Sequence, residues 1–140
     1  VKFVFDGERI SKWVFEYGGQ WVPGNPAIGV EDESGVLIAA IAYDGYTGAS
    51  ISMHSRCDDP RRVPRKFYSL IFDYPFNQLK VKRVNGIVAS SNARAMRVDE
   101  HLGFKREAVL RDYFPDGDAI IYAMYRDDCR FLRGRYALQT

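Results

Sequence analysis

The sequence predicts an α/β chain built on a central mixed β-sheet with helices on both faces. Three observations predict it. Residues 27–55 hold three β-like segments separated by Asp32-Glu33-Ser34-Gly35 and Asp44-Gly45-Tyr46-Thr47-Gly48, the turn chemistry of an antiparallel meander. Residues 49–89 read strand, helix, strand, and such a unit closes as a parallel pair through a right-handed crossover. Residues 104–125 read as two strands around Pro115-Asp116-Gly117-Asp118, a terminal hairpin.

The elements follow in order. Residues 1–5 form a short apolar edge strand. Asp6 supplies an N-cap, and Ile10, Trp13, Val14 and Tyr17 recur at helical spacing until Gly18-Gly19 stops the helix. Residues 20–26 are a loop with two prolines. The meander strands are 27–31, 36–43 and 49–55. Val63, Phe67, Leu70, Ile71 and Tyr74 then mark one face of an amphipathic helix, with Pro64 in its first turn and Pro75 ending or kinking it. The apolar run 84–89 suits a strand buried on both faces. A helix over 92–102 opens at Ser90-Ser91-Asn92 and closes at Gly103, and strands 104–114 and 119–125 complete the sheet.

At 140 residues the chain has the length of a single domain spanning 1–140, which buries roughly two thirds of its unfolded surface. A hydrophobic share of 46% with 27% charged residues excludes a disordered tail and a collagen-like repeat. The net charge of +2 is too balanced for a general polyanion binder. Fourteen of the twenty basic residues are Arg, the side chain suited to two-pronged capture of phosphate or carboxylate. Cys57 and Cys129 form neither a CxxC metal pair nor a disulfide framework, and are expected as free thiols in a reducing compartment. No apolar run approaches the roughly 20 residues that cross a bilayer, and the N-terminus lacks a secretory signal pattern, so the expected localisation is cytoplasmic with no membrane partner. The chain begins at Val1 rather than Met, which leaves room for a preceding element.

Ligands in sheets with a parallel crossover gather beyond the carboxyl end of the first strand, at the N-terminus of the next helix. Here that place is 55–66, with five basic and two acidic residues. It reads either as an anion site or as a solvated loop whose Asp58 and Asp59 neutralise its own arginines. No GxxxxGK or GxGxxG phosphate loop is present. Ala95, Val98 and Leu102 define the buried stripe of the 92–102 helix, and Asp99 falls on it. A carboxylate there needs an Arg partner at the stripe's edge or a solvated cleft, where it serves as acid, base or anchor. His54, at a strand end before the basic loop, is placed to take a proton from an amine, whereas His101 reads as exposed. Two His without matching Cys, Asp or Glu spacing make no metal site. Ser90 and Ser91 read as caps, not nucleophiles.

The run Asn92-Ala93-Arg94-Ala95-Met96-Arg97-Val98-Asp99-Glu100-His101-Leu102-Gly103-Phe104, with Glu107, Leu110-Arg111-Asp112-Tyr113, Gly117-Asp118, Tyr122, Met124 and Arg126, resembles the C-terminal half of the GCN5-related N-acetyltransferases, the GNAT superfamily, and especially its ribosomal-protein acetyltransferase-like branch. The likeness is best over 84–132. With Phe72-Asp73-Tyr74-Pro75-Phe76-Asn77-Gln78-Leu79 added, the chain resembles a small phage-encoded type. The resemblance implies a single-domain GNAT-like fold and an N-acetyltransferase that moves an acetyl group from acetyl-CoA to a primary amine by direct attack on the thioester. It implies that Met53, His54 and Ser55 meet the pantetheine arm, that Arg61, Arg62, Val63, Pro64, Arg65 and Lys66 hold the pyrophosphate, and that Asn92 and Ala95 line the pantetheine and thioester side. His54 and Asp99 are then the candidate catalytic residues. The acceptor is an amine on a protein N-terminus or a small molecule, chosen by the loops 18–26 and 44–48 and the final hairpin. No metal is implied, a homodimer is compatible, and the compartment is the host cytoplasm if the chain is phage-encoded.

Two positions depart from the family pattern. Pro64 and Lys66 stand where the pyrophosphate loop carries glycine or another small residue, and Pro64 also lacks an amide donor. Asp99 stands where many members carry a tyrosine acid. The alternative reading is therefore a catalytically degraded scaffold kept for binding, as a virion or host-interaction component. Nucleic-acid binding through 56–66 and Arg130, Arg133 and Arg135 is not expected, because no basic stripe or RNA-binding aromatic motif accompanies them.

Overall fold

The structure is a computed structural model and describes residues 1–19 and 21–138. Its strands are β1 (Lys2–Val4), β2 (Ala27–Glu31), β3 (Leu37–Asp44), β4 (Ser50–Cys57), β5 (Arg83–Ala89), β6 (Lys105–Phe114) and β7 (Gly117–Tyr125), and its helices are α1 (Gly7–Val14), α2 (Arg65–Asp73) and α3 (Ala93–Leu102). The strands form one sheet in the order β1-β2-β3-β4-β5-β7-β6. β4 and β5 are parallel across the α2 crossover and every other pair is antiparallel; the meander, the crossover and the last hairpin are as the sequence predicts, and the pairings of β1 with β2 and of β5 with β7 are added by the structure.

The central strand β3 explains the layering. Its residues from Leu37 to Tyr43 are all buried, so both faces of the sheet are covered there. On one face Ala40 and Ala42 are small enough to let α1 lie close, and Ile10 fills the contact with Ala27 and Leu37. On the other, Ile41 and Tyr43 meet Phe67, Ile71 and Phe72 of α2, with Ala95, Met96 and Leu102 of α3 packed against the same core. The Tyr43 hydroxyl donates to the Ile71 carbonyl at 2.5 Å, so the largest buried side chain of β3 carries no unpaired polar atom. Phe72 is fully buried and stacks on Phe131 at 5.2 Å with an 8° interplanar angle. Truncating such a ring to Ala typically costs about 3–5 kcal/mol. That contact also accounts for the chain after β7, to which the sequence assigns no element: Cys129 and Phe131 are buried and seal the outer side of α2.

Four details differ from the sequence reading. β5, expected to be buried on both faces, alternates between buried and more exposed positions, with Ile87 among the exposed. α1 ends at Val14, and Tyr17, expected on its buried face, is 82% exposed; Phe15 turns inward instead. β4 runs on to Cys57, because β3 continues to pair with it as far as Ala39, so Arg56 belongs to a strand and not to the loop. Val98 is 46% exposed, and the inward stripe of α3 is Ala95, Asp99 and Leu102. The expected chain breaks hold. Asp6 caps α1 through the Arg9 amide, Gly103 takes a left-handed φ of 112° after α3, and α2 gives way at Pro75 to a wider π-helical turn over Tyr74–Gln78.

Candidate active site

β4 and β5 pair only through Ser50–Arg83, Ile51–Val84 and Ser52–Asn85. Beyond those pairs they separate, since β4 stays with β3 as far as Cys57 while β5 stays with β7 as far as Ala89. The facing edges of 53–57 and 86–88 therefore carry peptide N–H and C=O groups without a sheet partner on that side, whereas the Ala89 carbonyl accepts the Asn92 amide at 2.8 Å. Such groups require water or a ligand. The gap opens into a cleft of ≈ 720 Å³.

Six of the residues singled out by sequence line this cleft: Met53, His54 and Ser55 from β4, and Asn92, Ala95 and Asp99 from α3 and its cap. Asn92 Oδ1 accepts the Ala95 amide at 3.1 Å and fixes the start of α3, which leaves its amide group as a free donor. Asp99 enters from the inward stripe and makes no described hydrogen bond. Burial, with Glu100 adding a like charge, pushes its carboxyl up to about 6. The neighbouring strand makes room for it: a Cβ at Gly86 would stand 3.0 Å from Asp99 Oδ2. His54 Nε2 lies 2.7 Å from Asp44 Oδ1, and Phe15 meets the imidazole edge-on at 5.1 Å.

The rim comes from the three predicted acceptor loops. Gly18, Gly19 and Val22 contribute from the first, Asp44 from the second, and Tyr113 and Phe114 from the hairpin. Gln20, in the first loop, lies outside the described residues. The described lining carries two carboxylates and neither Lys nor Arg, so the cleft is acidic in a chain of net charge +2. It suits a cation with an apolar body.

The predicted pyrophosphate residues do not share this cavity. Pro64 is the N-cap of α2, so the amides of Arg65 and Lys66 begin the helix without carbonyl partners inside it. Their side chains border a separate hollow of ≈ 640 Å³ with Ser69, Arg135 and Tyr136. Val63 packs against the core. Arg62 turns away to Glu33 at 3.0 Å and Asp32 at 3.7 Å, and Arg61 has no ion pair among the described residues. Arg56 is likewise engaged: its guanidinium lies 4.0 Å from the Trp13 ring and bonds to Glu16 and Asp58. The tail is engaged too, Arg130 donating to the last carbonyls of α3 at His101 and Leu102, and Arg133 to Asp127.

Sequence reasoning missed two contributors to the cleft and one cation beside the end of β4. Asp44 was legible only as a turn residue, because its contact with His54 depends on strand register. Phe15 was hidden by the early end of α1. Arg94, in the first turn of α3, is close enough to act on Cys57, whose thiol burial pushes up while the Asp59 amide and Arg94 pull it down. Its one sequence signal is its place two residues after the Asn92 cap. The signature tyrosine Tyr122 is not in the cleft, since its hydroxyl donates to Glu100 at 2.5 Å.

No protein-family model and no curated protein sequence matches the chain. Solved structures do match it. They include the spermidine N-acetyltransferase SpeG of Vibrio cholerae in several forms. A point mutant has a TM-score of 0.70 and 14% identity, covering 89% of this chain and 95% of that one. The complex with manganese ions has a TM-score of 0.68 and 15% identity, covering 89% and 91%. The dodecameric protein in an intermediate state has a TM-score of 0.64 and 19% identity, covering 75% and 67%. At these identities the likeness is one of fold, and it agrees with the mixed-sheet, GNAT-like arrangement expected of the sequence.

Proposed function

We propose that this chain, acting as a single domain, is an acetyl-CoA-dependent N-acetyltransferase for a cationic amine. The observation that carries the reading is the separation of β4 from β5, with His54 on one wall and Asp99 on the other. A pantetheine arm is a slender chain with two amides, and the unpaired peptide edge of 53–57 offers it the complementary donors and acceptors. Asn92 adds its free amide donors. At the α2 end, the Arg65 and Lys66 amides and the side chains of Arg61, Arg65 and Arg94 supply positive potential for the pyrophosphate, in place of a glycine loop.

Bound acetyl-CoA would supply the acyl group on a thiolate leaving group. Two protons leave the nitrogen as an ammonium becomes an amide. One must reach the departing sulfur and the other goes to solvent. His54 accepts a proton from the incoming ammonium, and Asp99 offers one on the opposite wall. With its carboxyl at about 6, Asp99 is protonated in about a tenth of molecules at pH 7, far more than an ordinary Asp. Asp44 and Asp99 attract the cation, and Phe15, Tyr17 and Tyr113 flank its apolar part. The SpeG neighbours act on spermidine, and the α3-to-β7 run resembles the ribosomal-protein branch. Polyamines and protein N-termini are therefore the two acceptor classes to test, in a cytoplasmic setting that is a host's if the chain is phage-encoded.

Calorimetry with acetyl-CoA and with CoA, followed by thiol release over a panel of polyamines and N-terminal peptides, tests the reading. Micromolar binding and amine-dependent thiol release are expected. No heat at millimolar ligand would sink it. Pro64 and Lys66 at the glycine positions favour one other reading, a binding protein without turnover, and for that case ligand heat would be absent while a protein partner is retained.

A further inference from the structure

We infer that Asp44 is a positioning residue for His54: it fixes which imidazole nitrogen carries a proton and so which one is free to accept another. The contact is 2.7 Å, from Nε2 to Asp44 Oδ1. It is built by register. β3 and β4 pair Ala42 with His54 and Asp44 with Ser52, which makes Asp44 and His54 diagonal neighbours on one face of the ladder. Phe15, delivered by the end of α1, packs on the ring at 5.1 Å and 60°. Three elements thus hold one imidazole.

Ionised Asp44 only accepts hydrogen bonds, so Nε2 donates and Nδ1 keeps its lone pair. No described group bonds to Nδ1, and His54 lines the cleft. The neighbouring charges do not compete for the ring: Arg56, next on the same face of β4, is held by Glu16 and Asp58, and Asp99 stands on the α3 wall. In the step, an ammonium N–H bond breaks, its electron pair stays on nitrogen as the nucleophile, and the proton passes to Nδ1. Asp44 offsets the imidazolium charge that results. Without Asp44 the ring is free to exchange tautomers and to rotate, and a base misplaced by about 1 Å can lose about 10²-fold in rate.

The chemistry rests on the acetyltransferase reading, whereas the tautomer is a property of the protein without substrate. Two measurements separate them. Long-range ¹H–¹⁵N spectra of the ligand-free protein should show His54 with its proton on Nε2 at neutral pH. Asp44→Asn, whose amide can donate to Nε2, should populate the Nδ1–H form, and Asp44→Glu should restore the original one. In turnover assays Asp44→Asn should lower kcat about 10²-fold with the KM for acetyl-CoA unchanged, and Asp44→Glu should recover part of it. An Nδ1–H His54 in the wild type, or a tautomer indifferent to Asp44→Asn, overturns the inference. Absence of turnover in the wild type with the expected spectra counts against the proposed function alone.

Discussion

The Asp99 carboxylate occupies the space that a side chain at Gly86 would need: Oδ2 lies 3.0 Å from where a Cβ would be, while Tyr122 Cβ, at 3.7 Å, would be in ordinary contact. A strand glycine therefore makes room for a helix carboxylate beside it in the cleft wall. Gly86→Ala should displace Asp99 and cost about 1–3 kcal/mol, as overpacking does. Because Asp99 is the obstacle, the same change in an Asp99→Ala background should cost much less. A double-mutant cycle by urea denaturation should give a coupling of about 0.5–3 kcal/mol, and additive costs would show that the two residues do not meet.

Asp99 also makes stability fall with pH over a defined window. Its carboxyl is near 3.8 in the unfolded chain and about 6 in the folded one. Between those values the folded state binds more protons at this group, so its contribution to stability is greatest below about pH 4 and declines until about pH 6, by about 2–3 kcal/mol. Asp99→Asn should flatten that segment, gaining stability at pH 7 and none at pH 4, while slowing acetyl transfer. Denaturation curves at pH 4, 6 and 8 check it; parallel profiles for variant and wild type would exclude a burdened carboxylate.

The sequence made the frame of this site legible because the frame is local. The Asn92 cap, the Gly103 stop and the apolar spacing of α2 are each written within a few residues, and the crossover rule then sets β4 beside β5. Asp99 stood out for the same reason, as a carboxylate on an apolar stripe. What escaped depends on distant partners. For Arg56 the sequence left open an anion site or neutralisation by the loop's own aspartates; Asp58 does pair with it, but Trp13 and Glu16, about 40 positions earlier, also claim it. Arg62 is claimed by the β2–β3 turn, and Asp44 meets His54 only in one register. Composition supplies the charges, and tertiary pairing decides which of them remain available.

The proposed function gives Asn92, the observed cap of α3, a second role in binding acetyl-CoA, and a substitution pair separates the two. Asn92→Ala removes the acceptor for the Ala95 amide and should cost about 1 kcal/mol, within the usual range for a lost N-cap. Asn92→Asp keeps the cap and, at a helix N-terminus, stays near wild-type stability, but it trades the two amide donors for a charge. Acetyl-CoA affinity should therefore fall in both variants while stability falls in only one. Equal affinity in Asn92→Asp and wild type would confine Asn92 to capping.

The arginine-rich segment predicts opposite outcomes for neighbouring residues. Arg62 is spent on Glu33 and Asp32 at the surface, so Arg62→Ala should leave CoA binding unchanged and alter stability by no more than about 1 kcal/mol. Arg65 and Lys66 lie at the start of α2, and neither has an ion pair among the described residues. The double variant Arg65→Ala, Lys66→Ala should weaken CoA about tenfold or more at low salt, with the difference from wild type shrinking as ionic strength rises. Dephospho-CoA and pantetheine locate the contact: a pyrophosphate role predicts a loss for CoA and dephospho-CoA alike and none for pantetheine. A loss confined to CoA would move these two residues to the ribose phosphate instead, and no loss at all would leave the α2 amides as the anion site by themselves.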